Sequence, residues 1–158
     1  PSRGLGDVYK RQPMYWSKDG NAEGMCKGPA DMDDFRMKFD SLEEQQEDPD
    51  SIYNYVKQVI RVRNQNPVIA RGTTAYLEQY SGEQCFALTR SYEGSNLLLL
   101  GNTSAEAVSV DLTGLTVGGT TAEELVLLGE LYTGEEIAER AGTVVTLPAY
   151  SILILGEE

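Results

Sequence analysis

The chain has 158 residues, a formal net charge of −12 and no histidine. Lack of histidine excludes a Ser-His-Asp or Cys-His nucleophile system and most zinc sites built from protein ligands. The acidic balance argues against nucleic acid and anionic membrane surfaces as partners, because phosphate binding needs clusters of Lys and Arg. The longest apolar block, Leu97–Leu100, is far too short to cross a bilayer, so no membrane segment is predicted.

An acidic stretch near the N-terminus raises the question of a metal site. Residues 19–24 place oxygen-bearing side chains at alternate positions before a Gly, and residues 31–34 add three carboxylates. An EF-hand loop needs a bidentate acid at its twelfth position, where Ala30 stands instead. We therefore predict no metal ligands and expect a solvated acidic loop that pairs with Lys18, Arg36 and Lys38.

The two cysteines carry no metal or redox spacing. Cys26 and Cys85 fall in different predicted units, and we expect two free thiols, although the spacing leaves a disulfide open. The first residues lack an apolar signal core. The residues therefore leave an extracellular and a cytoplasmic location equally open.

Residues 48–67 predict a self-contained amphipathic helix. Asp48 is a suitable N-cap, Pro49 is favoured at the first helical position, and Pro67 disfavours helix at the residue before it. One face collects the positions at helical spacing, namely Ile52, Val56, Val59, Ile60 and Arg63. Four aliphatic side chains at roughly 1.5–3 kcal/mol each for full burial favour docking, yet few apolar residues precede the helix. We expect most of the partner surface to lie outside this chain.

The remainder of the chain predicts only strands. Short apolar runs separated by Gly, Asn and Ser clusters predict strands at residues 75–80, 84–90, 96–101, 107–111, 125–132, 143–147 and 151–155. Seven strands in about ninety residues favour an antiparallel Greek-key sandwich over a parallel sheet. The fold class is therefore α+β, with a domain boundary near residues 70–71.

Aromatic side chains offer two candidate sugar-binding surfaces. Tyr15 and Trp16 could line a cleft by stacking on pyranose rings; the alternative is that Trp16 packs under its loop as an anchor. Tyr76 and Tyr80 share a face of the first predicted strand, which raises the alternative of a free-standing carbohydrate-binding or adhesion sandwich. The glycosylation pattern that begins at Asn102 is common by chance, and we interpret it as a turn.

Four segments in a fixed order resemble the α-amylase superfamily of glycoside hydrolases, family 13. They are Pro13-Met-Tyr-Trp16, Asp40-Ser-Leu-Glu-Glu-Gln45, the helix at 48–67 and Leu147-Pro-Ala-Tyr-Ser-Ile-Leu-Ile-Leu155. In oligosaccharide α-glucosidase-like members a Pro-Met-x-Trp loop follows the last strand of the catalytic barrel. An acidic stretch and a helix that begins Asp-Pro come next. Val62-Arg63 stands where Leu-Arg is usual.

The resemblance implies a division of the chain into three parts. Residues 13–70 correspond to the last loop and closing helix of a (β/α)8 barrel, and residues 71–158 to the C-terminal β-sandwich. Residues 1–12 do not resemble the preceding family region and are expected to be a foreign junction. The intact enzyme would be a retaining hydrolase of α-glucosidic bonds in starch-type oligosaccharides, bound through the barrel.

The family's catalytic carboxylates lie on barrel strands that precede the Pro-Met-x-Trp loop. We therefore expect no catalytic residue in this chain and predict that it is inactive alone. No cofactor is implied, although the resemblance leaves a Ca²⁺ site in the intact enzyme open. The expected partner of the helix and sandwich is the barrel itself, by intramolecular packing.

Overall fold

A computed structural model describes residues 15–18 and 39–157 of the chain. The chain divides into two compact units, one that ends at Asn54 and one that begins at Tyr55. The domain bounds inferred from the sequence, 13–70 and 71–158, stay predictions. None of the described helices is long and apolar enough to cross a membrane.

The first unit contains a short helix that was not predicted from the sequence pattern. Helix α1 covers Leu42–Glu47 and begins with a capping box, in which Ser41 and Glu44 satisfy each other's backbone N–H groups. The Ser41 N–H donates to Glu44 Oε2 at 3.0 Å, and the Glu44 N–H donates to Ser41 Oγ at 3.3 Å. This reciprocal pairing explains how a helix of only six residues is held.

The amphipathic helix is present but begins later than predicted. Helix α2 covers Ile52–Gln65, not a run from Pro49. The Asp48 carboxylate accepts from the Asp50 N–H at 2.9 Å and so closes a turn before the helix. Ser51 takes the capping position, because its hydroxyl accepts from the Asn54 N–H at 3.2 Å.

Pro67 ends α2 as predicted and also begins another helix. Helix α3 covers Pro67–Arg71, with proline at a first-turn position where its missing N–H costs nothing. Val68 is the buried residue of α3, and its carbonyl accepts from the Gly72 N–H at 2.9 Å. The Arg71 guanidinium lies 6.0 Å from the centre of the Tyr92 ring.

The second unit is built from ten strands. Their bounds are β1 Thr73–Tyr76, β2 Cys85–Tyr92, β3 Ser95–Asn102, β4 Val108–Asp111, β5 Thr116–Val117, β6 Thr120–Thr121, β7 Val126–Leu131, β8 Glu139–Ala141, β9 Val144–Leu147 and β10 Ile152–Gly156. Every pairing is antiparallel. The larger sheet has the order β1-β2-β3-β10-β7, the smaller sheet β4-β9-β8, and β5-β6 form a hairpin. The predicted antiparallel sandwich is confirmed.

Each of the seven predicted strands corresponds to an observed one. The first was predicted too long: β1 ends at Tyr76, and a 3-10 turn covers Glu78–Tyr80. The pair β5-β6 and the strand β8 were not predicted from the sequence. β5 and β6 have only two residues each around Gly118, and β8 is exposed throughout, so neither shows an alternating pattern.

The β2–β3 hairpin shows how a predicted turn is realised. Its two central residues, Glu93 and Gly94, have φ angles of 49° and 86°. Positive φ at both positions is the mark of a type I′ turn, whose twist matches that of the flanking strands. The turn sets Tyr92 opposite Ser95, and the register of the whole hairpin follows.

The larger sheet is covered on both faces, which explains the leucine run in β3. Leu98 and Leu100 face the smaller sheet in the main core, where both are fully buried. Leu97 and Leu99 face the opposite side and pack with Val68 of α3. A strand with two covered faces needs apolar residues at successive positions, not at alternate ones.

The side chain of Asn102 is buried at the end of β3 and organises the chain around it. Its amide nitrogen donates to the carbonyls of Glu106, Leu147 and Pro148 at 2.7, 3.1 and 2.9 Å. Its Oδ1 accepts from the N–H and hydroxyl of Ser104, which closes the predicted turn. With 3% of Asn102 exposed, this nitrogen serves structure rather than glycosylation.

We predict that Asn102→Ala destabilises the sandwich by about 2–4 kcal/mol, because three backbone carbonyls lose their buried donor. Chemical denaturation followed by circular dichroism measures the change. Thr103→Ala is the matched control: it alters the neighbouring exposed residue and should change the free energy of unfolding by about 0.5 kcal/mol or less. Equal effects of the two variants would contradict the role given to Asn102.

Asp111 links β4 to the chain before β9 and supplies a pH dependence. Its Oδ1 accepts from the Thr113 hydroxyl, the Thr113 N–H and the Thr143 hydroxyl at 2.7, 2.9 and 3.0 Å. These hydrogen bonds lower the pKa of Asp111 below its ordinary value of 3.8, and those from Thr113 have the largest effect. A lowered native pKa means that the stabilisation is complete above the unfolded-state pKa and is lost as the pH falls through the native one.

The melting temperature of Asp111→Asn should therefore lie below that of the wild type at neutral pH. The difference should shrink once the pH falls below about 4. Thermal unfolding between neutral and strongly acidic pH measures it, with Glu106→Gln as the control for removing an exposed carboxylate. A difference that grows on acidification would contradict the assignment.

Candidate functional site

The loop that carries Tyr15 and Trp16 is fastened to the start of α1. The Tyr15 carbonyl accepts from the Leu42 N–H at 2.8 Å, and the Trp16 carbonyl accepts from the Glu43 N–H at 3.1 Å. First-turn N–H groups have no partner within a helix, so the loop supplies the acceptors that α1 lacks. The loop that carries the two predicted sugar-binding residues is thus held by backbone hydrogen bonds.

The Trp16 side chain is not a buried anchor. It is 47% exposed, which contradicts the interpretation that its ring packs beneath the loop. Tyr15 is half-buried, and its hydroxyl donates to the Lys18 carbonyl at 3.0 Å. The Trp16 ring therefore offers an open aromatic face, whereas the Tyr15 hydroxyl stiffens the loop.

The Glu44 carboxylate of α1 carries a negative charge beside this loop. Hydrogen bonds from the hydroxyl and N–H of Ser41 lower the pKa of Glu44, and Lys18 contributes a smaller effect in the same direction. The Lys18 Nζ lies 3.9 Å from Glu44 Oε1, so Lys18 pairs with α1. The carboxylate is therefore ionised as a helix cap, which is opposite to what a general acid requires.

The acidic stretch at 19–34 lies outside the described residues, as do Arg36, Lys38 and the segment 1–12. Among the residues that the structure does describe, no group of three or more acidic or Cys side chains is placed to hold a metal ion. Cys85 is a free thiol, and Cys26 is outside the described part.

A second candidate surface is the apolar face of α2. Ile52, Val56 and Ile60 are 76%, 46% and 52% exposed. Such a row is unusual, since the burial of aliphatic side chains is what normally fixes an amphipathic helix in place. We define Val56 and Ile60, together with Ile52, as the open face of α2.

The neighbouring flank of the same helix does contact the sandwich. Val62 packs on the cluster formed by Val68, Leu97 and Ile154. A Cβ on Gly129 of β7 would lie 3.0 Å from Val62 Cγ1, so glycine at this position permits the helix to approach the strand. In the sequence Val62 is recognisable only as part of a motif. Its contact with the sandwich could not be predicted, because it depends on a glycine 67 positions further along the chain.

Tyr76 and Tyr80 do not form the aromatic pair that a free-standing carbohydrate-binding sandwich would use. Tyr76 is 58% exposed, but Tyr80 turns into the main core with 9% exposed. The Tyr80 hydroxyl donates to the Thr113 carbonyl at 3.2 Å. The 3-10 turn that ends β1 early is the physical reason, since it rotates Tyr80 away from the face of Tyr76.

No family model matches the chain. A structure of Eubacterium rectale Amy13B is 38% identical, superposes with a TM-score of 0.80, and is matched over 92% of this chain and 27% of its own. An alpha-amylase from H. orenii matches at 24% identity and a TM-score of 0.70, over 94% of this chain and 28% of its own. A variant of the trehalulose synthase MutB matches at 25% identity and a TM-score of 0.57, over 73% and 20%.

The predicted resemblance to a C-terminal portion of an enzyme of the α-amylase family, family 13, is confirmed. The chain spans about a quarter of the length of the relatives it matches. Its antiparallel sandwich matches the C-terminal β-sandwich of those enzymes.

The open face of α2 predicts self-association of the chain. We expect Val56→Lys with Ile60→Lys to reduce association at high protein concentration, because two charges replace exposed aliphatic side chains. The free energy of unfolding should change by about 0.5 kcal/mol or less, as both positions are exposed. Sedimentation velocity over a concentration series measures the association.

The matched control adds the same two charges at exposed polar positions of α2, as Gln58→Lys with Asn64→Lys. This pair should associate like the wild type. If both double variants dissociate equally, net charge and not the open face of α2 governs the association.

Proposed function

We propose that this chain is the C-terminal part of a retaining glycoside hydrolase that acts on α-glucosidic bonds of starch-type oligosaccharides. In this proposal residues 13–70 are the last loop and closing helix of the catalytic barrel, and residues 71–158 are the sandwich that packs on it. The observation that carries the proposal is the open face of α2, an aliphatic row with no partner among the described residues.

The length of the relatives supports a catalytic barrel as the partner that covers the open face of α2. The relatives are more than three times as long as this chain, and the open face of α2 is aliphatic with no charge at its centre. Burial of Val56 and Ile60 would contribute roughly 1.5–3 kcal/mol each. In the family, the closing helix of the barrel is the element that would pack an aliphatic face of this kind on the barrel.

Three carboxyl groups of the described residues support a structural role for this part. A retaining glycosidase needs a carboxylic acid with a raised pKa and a nucleophilic carboxylate about 5 Å away. The pKa values of Glu44, Asp111 and Glu124 are all lowered, in each case by hydrogen bonds from a neighbouring Ser or Thr. These carboxylates cap turns and helices in ionised form, and we propose that the catalytic set lies in the barrel.

Tyr15 and Trp16 are proposed to contribute to the rim of the substrate cleft. Backbone hydrogen bonds to α1 hold their loop, and the Trp16 ring is half-exposed, so it can stack on a pyranose ring. The substrate class itself is supported by the order of the four motifs, and the likeness to Amy13B supports the family.

A chimaera tests the proposal. Residues 13–158 would replace the matching stretch of Amy13B, and release of reducing sugar from maltooligosaccharides would be measured. We expect an active chimaera and an inactive Amy13B that lacks the stretch, while the present chain alone releases no sugar from maltooligosaccharides or isomaltose. Activity in the chain alone would overturn the assignment of the chemistry to the barrel.

The role of the open face of α2 is tested within the same chimaera. Val56→Lys with Ile60→Lys should cost about 3 kcal/mol or more, because both side chains would be buried there. We expect a lower melting temperature and loss of activity after mild heating. The Gln58→Lys, Asn64→Lys pair is again the control, and equal heat resistance of the two chimaeras would count against a barrel as the occupant.

A further inference from the structure

The joint between α1 and α2 is made of hydrogen bonds. The Asn54 side chain lies in the first turn of α2. Its amide nitrogen donates to the carbonyls of Gln45, Gln46 and Asp48 at 3.0, 3.3 and 2.7 Å. The first two carbonyls belong to the last turn of α1, where backbone carbonyls have no donor within the helix. Asn54 therefore caps α1 from α2.

Gln45 extends this joint to the other end of α1. Its Oε1 accepts from the Tyr53 N–H of α2 at 3.3 Å, while its Nε2 donates to the carbonyl of Asp40, just before the N-cap of α1, at 2.8 Å. The hydroxyl of the buried Ser51 donates to the Gln45 carbonyl. We call Gln45, Ser51 and Asn54 the α1 clamp.

Helix α1 contributes no buried residue, so its position depends on the hydrogen bonds at its two ends. A helix of six residues is unstable in water by itself. Its N-terminal end carries the loop at Tyr15 and Trp16, whose carbonyls accept from first-turn N–H groups of α1. At a rise of 1.5 Å per residue, α1 spans about 9 Å between the α1 clamp and this loop.

The α1 clamp is separate from the cores of the sandwich. The two buried clusters of the second unit, with the hydrophobic residues packed on them, begin at Val62 in the sequence. Asn54 is half-buried and belongs to the first unit. A change at Asn54 should therefore alter the placement of α1 without unfolding the sandwich.

We propose that Asn54 is a positioning residue for substrate binding, which holds the Trp16 ring at the rim of the cleft through α1. Because the Trp16 ring is half-exposed, the position of its loop fixes where the ring lies. The N–H groups of Asn54 are essential to this role, since a carboxylate of the same shape can only accept. Sugar binding by Trp16 rests on the proposed function; the dependence of the Trp16 loop on Asn54 does not.

Fluorescence of the present chain tests this dependence, since Trp16 is its single tryptophan. Asn54→Asp removes the donors and keeps the shape of the side chain, and Asp is favoured in the first turn of a helix, so α2 is retained. We expect the amplitude of the nanosecond anisotropy decay of Trp16 to rise roughly twofold, because the loop is released. Gln45→Glu, which removes the donor to Asp40, should act in the same direction.

Gln58→Glu is the matched control, as it makes the same change of amide to carboxylate at an exposed position of α2. Its anisotropy decay should equal that of the wild type, and circular dichroism should show a folded sandwich in every variant. An Asn54→Asp variant with the anisotropy decay of the wild type would overturn the inference.

Kinetics of the Amy13B chimaera test the second step, that Asn54 acts through Trp16. Asn54→Asp and Trp16→Ala should each raise KM for maltoheptaose roughly fivefold and leave kcat within about twofold, because a stacking contact that binds ground state and transition state alike is lost. In the double variant KM should again rise only about fivefold, since the two changes remove the same contact. Multiplied effects would contradict the inference, because Asn54 would then act on another part of the site.

The two measurements separate this inference from the proposed function. An inactive chimaera would refute the proposed function, while the anisotropy of Trp16 would still show whether Asn54 holds the loop. A released loop together with an unchanged KM in Trp16→Ala would remove sugar binding from Trp16 and so overturn the positioning role.

Discussion

The second unit depends on one constraint, that β3 and β10 form the centre of a sheet with two apolar faces. Leu98 and Leu100 pair with Leu155 and Leu153 on the side of the smaller sheet, while Leu97 and Ile154 point to α3. A sheet of this kind is unstable in water on either side. The smaller sheet covers one face, and the helical segment before β1 must cover the other, which is why helices and sandwich occur together in this chain.

Helix α2 consequently serves two surfaces. Its Val62 flank contacts the sandwich at Gly129, where the missing side chain allows close approach, while Val56 and Ile60 stay exposed. A helix that served the sandwich alone would have no reason to carry the second aliphatic row. The two aliphatic surfaces of this helix, one packed and one exposed, connect the architecture of the sandwich to the proposed barrel.

In the described part of the chain, many polar side chains form hydrogen bonds that stabilise the fold. The buried polar side chains all make hydrogen bonds that close turns or cap helices; they are Ser41, Ser51, Asn102 and Ser151. No buried side-chain nitrogen or oxygen atom in the described part lacks a hydrogen-bond partner. Among the charged groups, Arg140 donates to the carbonyls of Leu125 and Ala122 and holds the short strand β8 in place. Such groups stabilise a scaffold, whereas the side chains of Trp16 and Tyr76 stay exposed.

The sequence by itself determined the amphipathic helix, the seven longer strands and the order of motifs that resembles the family, because each depends on local periodicity or turn chemistry. It could not place the start of α2, since Asp48 and Ser51 are both good caps and only their hydrogen bonds to Asp50 and Asn54 decide between them. It also could not show that Tyr80 turns into the core while Tyr76 stays exposed. That choice is made by the Thr113 carbonyl, 33 residues away in the chain. Tertiary structure decides such questions because they depend on partners that are distant in sequence.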